Sequence, residues 1–516
     1  MRTRPQPGGV RADRLGAAAA LLTIVALVAA CGGTTPSTAP TVMQSPAGTP
    51  STQPSAAQPA ATPSSSPSST PGAVTGRWEQ AGTMAIAHQD AVLLGDGRVL
   101  AVGNDCPDVC DNTTMTELWD PATGIWRTTE SLPSPRADFA TVALKDGRVL
   151  IAGGRNQNDQ SFSSAYVYDP RPGNESWTKV GLMAAARTAP IAAVLADGRV
   201  LVAGGYFRTK PSFGDAGPGA VLAAYRPDSP RVTGSPRARL ADVAPPDVGS
   251  ALATAELFDP GTGTWSATGP LKFARFGAAA VTLADGRVLV VGSGGSGGGV
   301  SRVDARAFDS AEIYDPKTGR FSLVAGRLPA INRSALQKQG APHANPVPTE
   351  DPVVDGGTLV ALKDGGAVLI AQSGSWKHQG DITRSFRFDA RTGAWTEIGR
   401  TFIDVYNPDT TELVIPGVPS LAGAIVAGLP DGRVLVAGGA GETVPPYSNT
   451  YTSASAQLYD PATDQWSPLP PMPEARAGAA AVVLKDGSVL LTGGYNQRPP
   501  GDQIVLTSAI RFVPSP

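Results

Sequence analysis

Residues 141–154 read Thr-Val-Ala-Leu-Lys-Asp-Gly-Arg-Val-Leu-Ile-Ala-Gly-Gly: an apolar run, an Asp-Gly pair, a β-branched run and a glycine doublet. Asp-Gly between strand-like runs is a strong hairpin signal, read here as a type I′ turn whose two central residues both take positive φ. The phrase stands at seven places, with the pair at Asp96-Gly97, Asp146-Gly147, Asp197-Gly198, Asp285-Gly286, Asp364-Gly365, Asp431-Gly432 and Asp486-Gly487. Such self-similarity marks a repeat architecture, in which each copy buries its apolar faces only against its neighbours.

Downstream of each hairpin comes a second phrase. It reads Leu118-Trp119-Asp120-Pro121, Val167-Tyr168-Asp169-Pro170, Leu257-Phe258-Asp259-Pro260, Ile313-Tyr314-Asp315-Pro316, Phe386-Arg387-Phe388-Asp389 and Leu458-Tyr459-Asp460-Pro461. Each is a third strand ending in a turn. A large aromatic follows, at Trp126, Trp177, Trp265, Phe321, Trp395 and Trp466, and marks a fourth strand. The seventh hairpin has only a third strand, near Ile510-Arg511-Phe512, before the chain stops. Gly76-Arg77-Trp78, ahead of the first hairpin, carries the aromatic of the missing fourth strand. Both ends of the repeat region are expected to share one blade, which removes an open sheet edge.

With its glycine doublet, its aromatic-Asp-Pro turn and its fourth-strand tryptophan, the pattern resembles the kelch repeat across residues 76–516. That resemblance implies an all-β, seven-bladed kelch-type β-propeller with four antiparallel strands per blade, closed by the N-terminal strand in the last blade. The doublet departs from the pattern at Gly103-Asn104, Gly292-Ser293 and Ser373-Gly374. Successive Asp-Gly pairs are 50, 51, 88, 79, 67 and 55 residues apart, against about 50 for a kelch repeat. The surplus falls between the second and third strands of blade 3, and between fourth and first strands after Asp315 and Asp389. Strand alternation sends both kinds of loop to one face and the Asp-Gly and Asp-Pro turns to the other. Binding groups gather on long loops held by a rigid scaffold.

The 60 glycines and 48 prolines of the 516 residues suit strands and turns rather than long helices. Residues 1–30 hold Arg2, Arg4, Arg11 and Arg14 followed by an apolar run from Leu15 to Ala30, which reads as a signal peptide. Its end, Val28-Ala29-Ala30-Cys31, resembles the lipobox of bacterial lipoproteins, which implies cleavage before Cys31 and lipidation of its sulfur. Residues 31–75 are rich in Ser, Thr, Pro and Ala, with no charged side chain, and read as a disordered tether. The expected location is therefore the bacterial cell envelope, outside the cytoplasm, with membrane attachment through the lipid alone. No basic stripe offers itself to nucleic acid. Cys106 and Cys110, four apart in one loop, form a candidate disulfide in an exported protein; a metal site there would need ligands from elsewhere.

Arg136, Arg187, Arg275 and Arg476 each stand ten residues before the Asp of a hairpin, near the start of an innermost strand. One reading is a cationic ring on the loop-rich face, binding a carboxylate, sulfate or phosphate, with Trp376 and His378 in a neighbouring loop. The other is a set of structural arginines bridging neighbouring blades to Glu117, Glu256 or Glu312. His88, His343 and His378 fall on the same face, as do Tyr206, Tyr406, Tyr447, Tyr451 and Tyr495, and loop histidines are expected at the surface. Galactose oxidase, a kelch-type propeller, holds copper with two His, two Tyr and a Tyr-linked Cys, and no motif here matches that set. No catalytic residue, metal site or cofactor is assigned. The expectation is a binding module for a protein, glycan or small anion, with an extracytoplasmic enzyme of the galactose-oxidase type as the alternative.

Overall fold

The computed structural model describes residues 76–88, 90–103, 114–158, 160–208, 250–293, 305–329, 357–373, 382–399, 423–442, 450–497 and 503–515. Cys31, Cys106, Cys110, His343, Trp376, His378, Tyr406 and Tyr447 lie outside them, as do the signal-peptide and tether assignments.

Seven four-stranded antiparallel sheets follow one another along the chain. Blade 2 is representative: Ala140–Ala143 innermost, then Val149–Ala152, Ala165–Asp169 and Ser176–Lys179 at the rim. Every second strand except that of blade 5 is four residues long, and those of blades 1 to 4 and 6 and 7 are buried throughout, as a strand covered on both faces requires. The core divides into seven apolar clusters, one at each interface between neighbouring blades. That is how a repeat protein buries its surface.

Closure is as expected. Gly76–Thr83 pairs antiparallel with Ser508–Pro514, which in turn lies beside Val489–Thr492 and then Ala480–Val483. In all seven blades the aromatic of the third strand packs on that of the fourth, from Trp119 with Trp126 to Tyr459 with Trp466. Trp78 on Phe512, ring centres 5.0 Å apart, rebuilds the same pair across the chain ends. The rim tryptophans also join blades. Trp126 donates its indole N–H to Ala81 O, Trp177 to Glu130 O, Trp265 to Gly181 O and Trp78 to Pro470 O, each on the preceding blade.

The Asp-Gly turns correct the sequence reading. Gly97 has φ 98° and Gly147 87°, while neither Asp lies at positive φ. Gly97 N–H donates to Leu94 O and Leu94 N–H to Arg98 O. The loop therefore has three residues, with the glycine alone in the left-handed region, rather than two in a type I′ turn. The Asp avoids positive φ because its carboxylate is used locally: Asp96 accepts the backbone N–H of Arg98 and pairs with its guanidinium. Arg98 and Arg148 go on to donate to Pro170 O and Pro260 O on the next blade. These links stitch the trimmed face together.

Candidate functional site

On the opposite face the glycine doublet allows two chain segments to cross at contact. A Cβ on Gly153 would lie 2.4 Å from Arg187 O, and one on Gly154 2.6 Å from Ala137 O. The carbonyl of the first doublet glycine receives the arginine of its own blade, seventeen residues earlier. Arg136 donates to Gly153 O, Arg187 to Gly204 O, Arg275 to Gly292 O and Arg476 to Gly493 O. The four arginines are thus at the expected end of the propeller, but all are at least 98% buried. Their side chains lock onto the corner between second and third strands of the same blade, while the backbone N–H and carbonyl of Arg187, Arg275 and Arg476 bond to the corner of the preceding blade.

Their counter-charges differ. Glu256 accepts the N–H groups of Ala184 and Ala185 together with Arg187. Glu312 accepts those of Lys272 and Phe273 together with Arg275. Arg476 meets Glu474, two residues before it, and Ser508. In blade 2 the carboxylate position is Tyr166, and Arg136 lies between the rings of Phe162 and Tyr166, 4.7 and 4.8 Å from their centres. Burial draws the Arg136 guanidinium down to about 10, against a smaller upward pull from Tyr166. Among the described residues the buried Nε of Arg136, Arg187 and Arg476 has no acceptor.

Blade 1 inverts the arrangement. His88 is buried, contrary to the expectation of a surface histidine, with Nε2 2.7 Å from Glu117 and Nδ1 3.0 Å from Gly103 O. Burial raises the Glu117 carboxyl, and the bonds from His88 and the Ala85 N–H outweigh it and hold it below its ordinary value. Blade 5 replaces the motif with Arg384, paired to both oxygens of Glu397 and to Pro329 O.

Above these sockets stands a second tier of short ladders. Tyr206 pairs with Ala251 on one side and Thr188 on the other, and Tyr495 with Val505 and Ala477. Arg155 takes the same place between Ala137 and Ser161. Neighbouring corners then join: Ser161 N–H donates to Arg208 O, and Thr452 N–H to Gln497 O. Around the axis, Asp138, Ala189, Gly277, Gly423 and Gly478 occupy one register at positive φ. Ala189 N–H donates to Asp138 O, Gly277 N–H to Ala189 O and Gly478 N–H to Gly423 O. Asp138 also pairs with Arg155. Strained non-glycine residues such as Asp138 and Ala189 are held only where surroundings over-determine them.

Just inside that register Asp90 is the one charged residue of the seven innermost strands. Burial pushes its carboxyl up to about 6, with Thr141 and the Ala91 N–H acting the other way. No copper set is found among the described residues, where no three His, Cys, Asp or Glu could share a metal ion and both His88 nitrogens are engaged.

A model of the kelch motif matches residues 136–183 and 426–473. The kelch-like protein terF of Aspergillus terreus is 37% identical over 109 residues, 21% of this chain and 20% of that protein. Kelch-like protein 25 of Xenopus tropicalis is 24% identical over 342 residues, 66% of this chain and 42% of that protein. An N-acetylneuraminate epimerase of Brucella suis is 35% identical over 80 residues, 15% of this chain and 20% of that enzyme. The chain spans less than half the length of these relatives. Among solved structures, a fungal alcohol oxidase of the AA5 family in complex with copper superposes with a TM-score of 0.54 at 17% identity, over 85% of this chain and 76% of that one. In fold the protein is an all-β, seven-bladed propeller with four antiparallel strands per blade, and it carries kelch motifs.

Proposed function

We propose that this propeller is a binding module of the bacterial cell envelope, held outside the cytoplasm by a lipid on Cys31 and engaging a protein, glycan or small anion through its loop-rich face. The observation that carries the reading is the second tier of ladders, built on that face alone, with Arg155, Tyr206 and Tyr495 in equivalent places around the axis. The opposite face is closed by short turns with their own carboxylate caps. Extra structure confined to one end of a rigid scaffold is what recognition requires. The buried arginines hold the corners of this face, and ligand contact falls to the tier above them.

Photo-crosslinking residues placed at positions 155, 206 and 495, and at the turn positions 197 and 285, test the assignment in cells. Discrete adducts from the first three and none from the turns are expected. Adducts from the turns alone, or from neither set, would overturn it. Release of the Cys31→Ala variant from the membrane fraction tests the anchor separately. The alternative, an oxidase of the galactose-oxidase type, draws support from the shared fold alone, and stoichiometric copper in the purified protein would favour it.

A further inference from the structure

The innermost strands of blades 5, 6 and 7 line an open cavity of about 360 Å³ that reaches the trimmed end of the axis. Its walls carry the small side chains of Val360, Val426, Gly428, Ala481 and Val483, polar and apolar surface share them, and Thr358 is the one hydroxyl. No acid lines it. The two charged residues that do are basic, Lys363 and Arg433. Arg433 is committed to Asp431, through Nε at 2.8 Å and Nη2 at 2.6 Å.

Lys363 is set apart by comparison with its equivalents. Lys145, Lys363 and Lys485 each stand immediately before the Asp of a turn. Lys145 and Lys485 donate from Nζ to Ala196 O and Gly95 O, the residue ahead of the Asp on the next blade. Lys363 reaches the next blade in the same way, its Cδ 3.4 Å from a Cβ built on Gly432, as Lys485 Cδ is 3.6 Å from one on Gly97. Among the described residues its ammonium makes no hydrogen bond to the corresponding Pro430 O, and its charge acts on Asp431 from a distance, helping to hold that carboxyl below its ordinary value as Lys485 does for Asp96. Two of three repeat lysines are tied across a seam; the third lines a cavity.

We propose that this cavity is a binding site for a small organic anion with an apolar body, a short-chain or aromatic carboxylate, whose charge is taken by Lys363 and whose hydrocarbon rests on the valine and alanine walls. The volume lies within the range of small-molecule sites, which pair apolar walls with a few polar groups. A charge-assisted bond fixes the carboxylate end. The site is at the far end of the axis from the loop-rich face and independent of what that face binds.

Calorimetric titration of the purified protein with benzoate and hexanoate, at neutral pH and low salt, tests this directly. Saturable binding is expected, weakened at least tenfold in Lys363→Gln and unchanged in Lys145→Gln, with benzamide and hexanamide binding far more weakly than the acids. Ala481→Leu, which fills the cavity, should abolish binding of both probes; melting curves establish that each variant is folded. Absence of saturable binding in the wild type, equal affinity in Lys363→Gln, or equal affinity for the amides would each overturn the proposal.

Discussion

The trimmed face and the loop-rich face are made from the same seven repeats and are held by different physics. Charges on the trimmed face are local and wet: the acids of the Arg148, Arg199, Arg287 and Arg433 pairs are 44 to 47% exposed, and each pair closes over its own turn. Beneath the loop-rich face lies a second kind that is dry, although Asp138 with Arg155 in the tier above is 40 and 37% exposed. Arg187 with Glu256 and Arg275 with Glu312 are at most 6% exposed and tie residues far apart in sequence. A wet pair contributes little and can be lost one blade at a time. A dry one leaves an uncompensated buried charge when broken.

Removing a dry partner should have the largest effect. Arg275→Ala strips donors from Gly292 O, Ala307 O, Ser310 and Glu312, and should cost about 3–5 kcal/mol, read by urea unfolding. A loss below about 1 kcal/mol, typical of exposed pairs, would erase the distinction between the faces.

The second prediction concerns Asp90, a part-buried acid at the same end. Asp90 has its carboxyl raised in the fold to about 6, above its ordinary 3.8. The folded state disfavours the ionised form, so the penalty is fully present above about pH 6 and gone below about pH 4. Asp90→Asn should therefore be more stable than the wild type by about 2 kcal/mol at pH 8 and equal to it at pH 4, by thermal melting at both. A difference independent of pH would assign the effect to packing instead of charge.

The smallest effect belongs to the trimmed face. Arg199→Ala removes the Asp197 pair, 37 and 47% exposed, and should cost under about 1 kcal/mol, less still at high salt. A loss matching that of Arg275→Ala would show that the turns act as a coupled ring.

The fold was legible because its signals are local and repeated. Asp-Gly, aromatic-Asp-Pro and rim tryptophan each reflect a turn or a contact within one blade, and the missing fourth strand identified Gly76–Thr83 as its replacement. The turn type was misjudged for the opposite reason. An Asp whose carboxylate caps its own loop prefers negative φ, and that competition is invisible in the dipeptide. At the site, the ten-residue register located Arg136, Arg187, Arg275 and Arg476, but burial depends on the corner that folds over them. Two of the three glutamates noted beside them, Glu256 and Glu312, are their partners, whereas Glu117 holds His88. His88 breaks the register by two residues and Arg384 arrives from a different strand, so neither could be reached by counting.

The pairing of Gly76–Thr83 with Ser508–Pro514 also sets an order in time. The first strand of the propeller to be synthesised is the last to find its place, because its partner is the last to be made. Until then Trp78 lacks Phe512, blade 7 lacks its rim, and both open edges remain available to other chains. A chain cut short anywhere beyond the first blade shares this defect, whether it lacks seven residues or several blades. The closing pair thus acts as a test of the propeller, passed only by a chain that carries both of these strands.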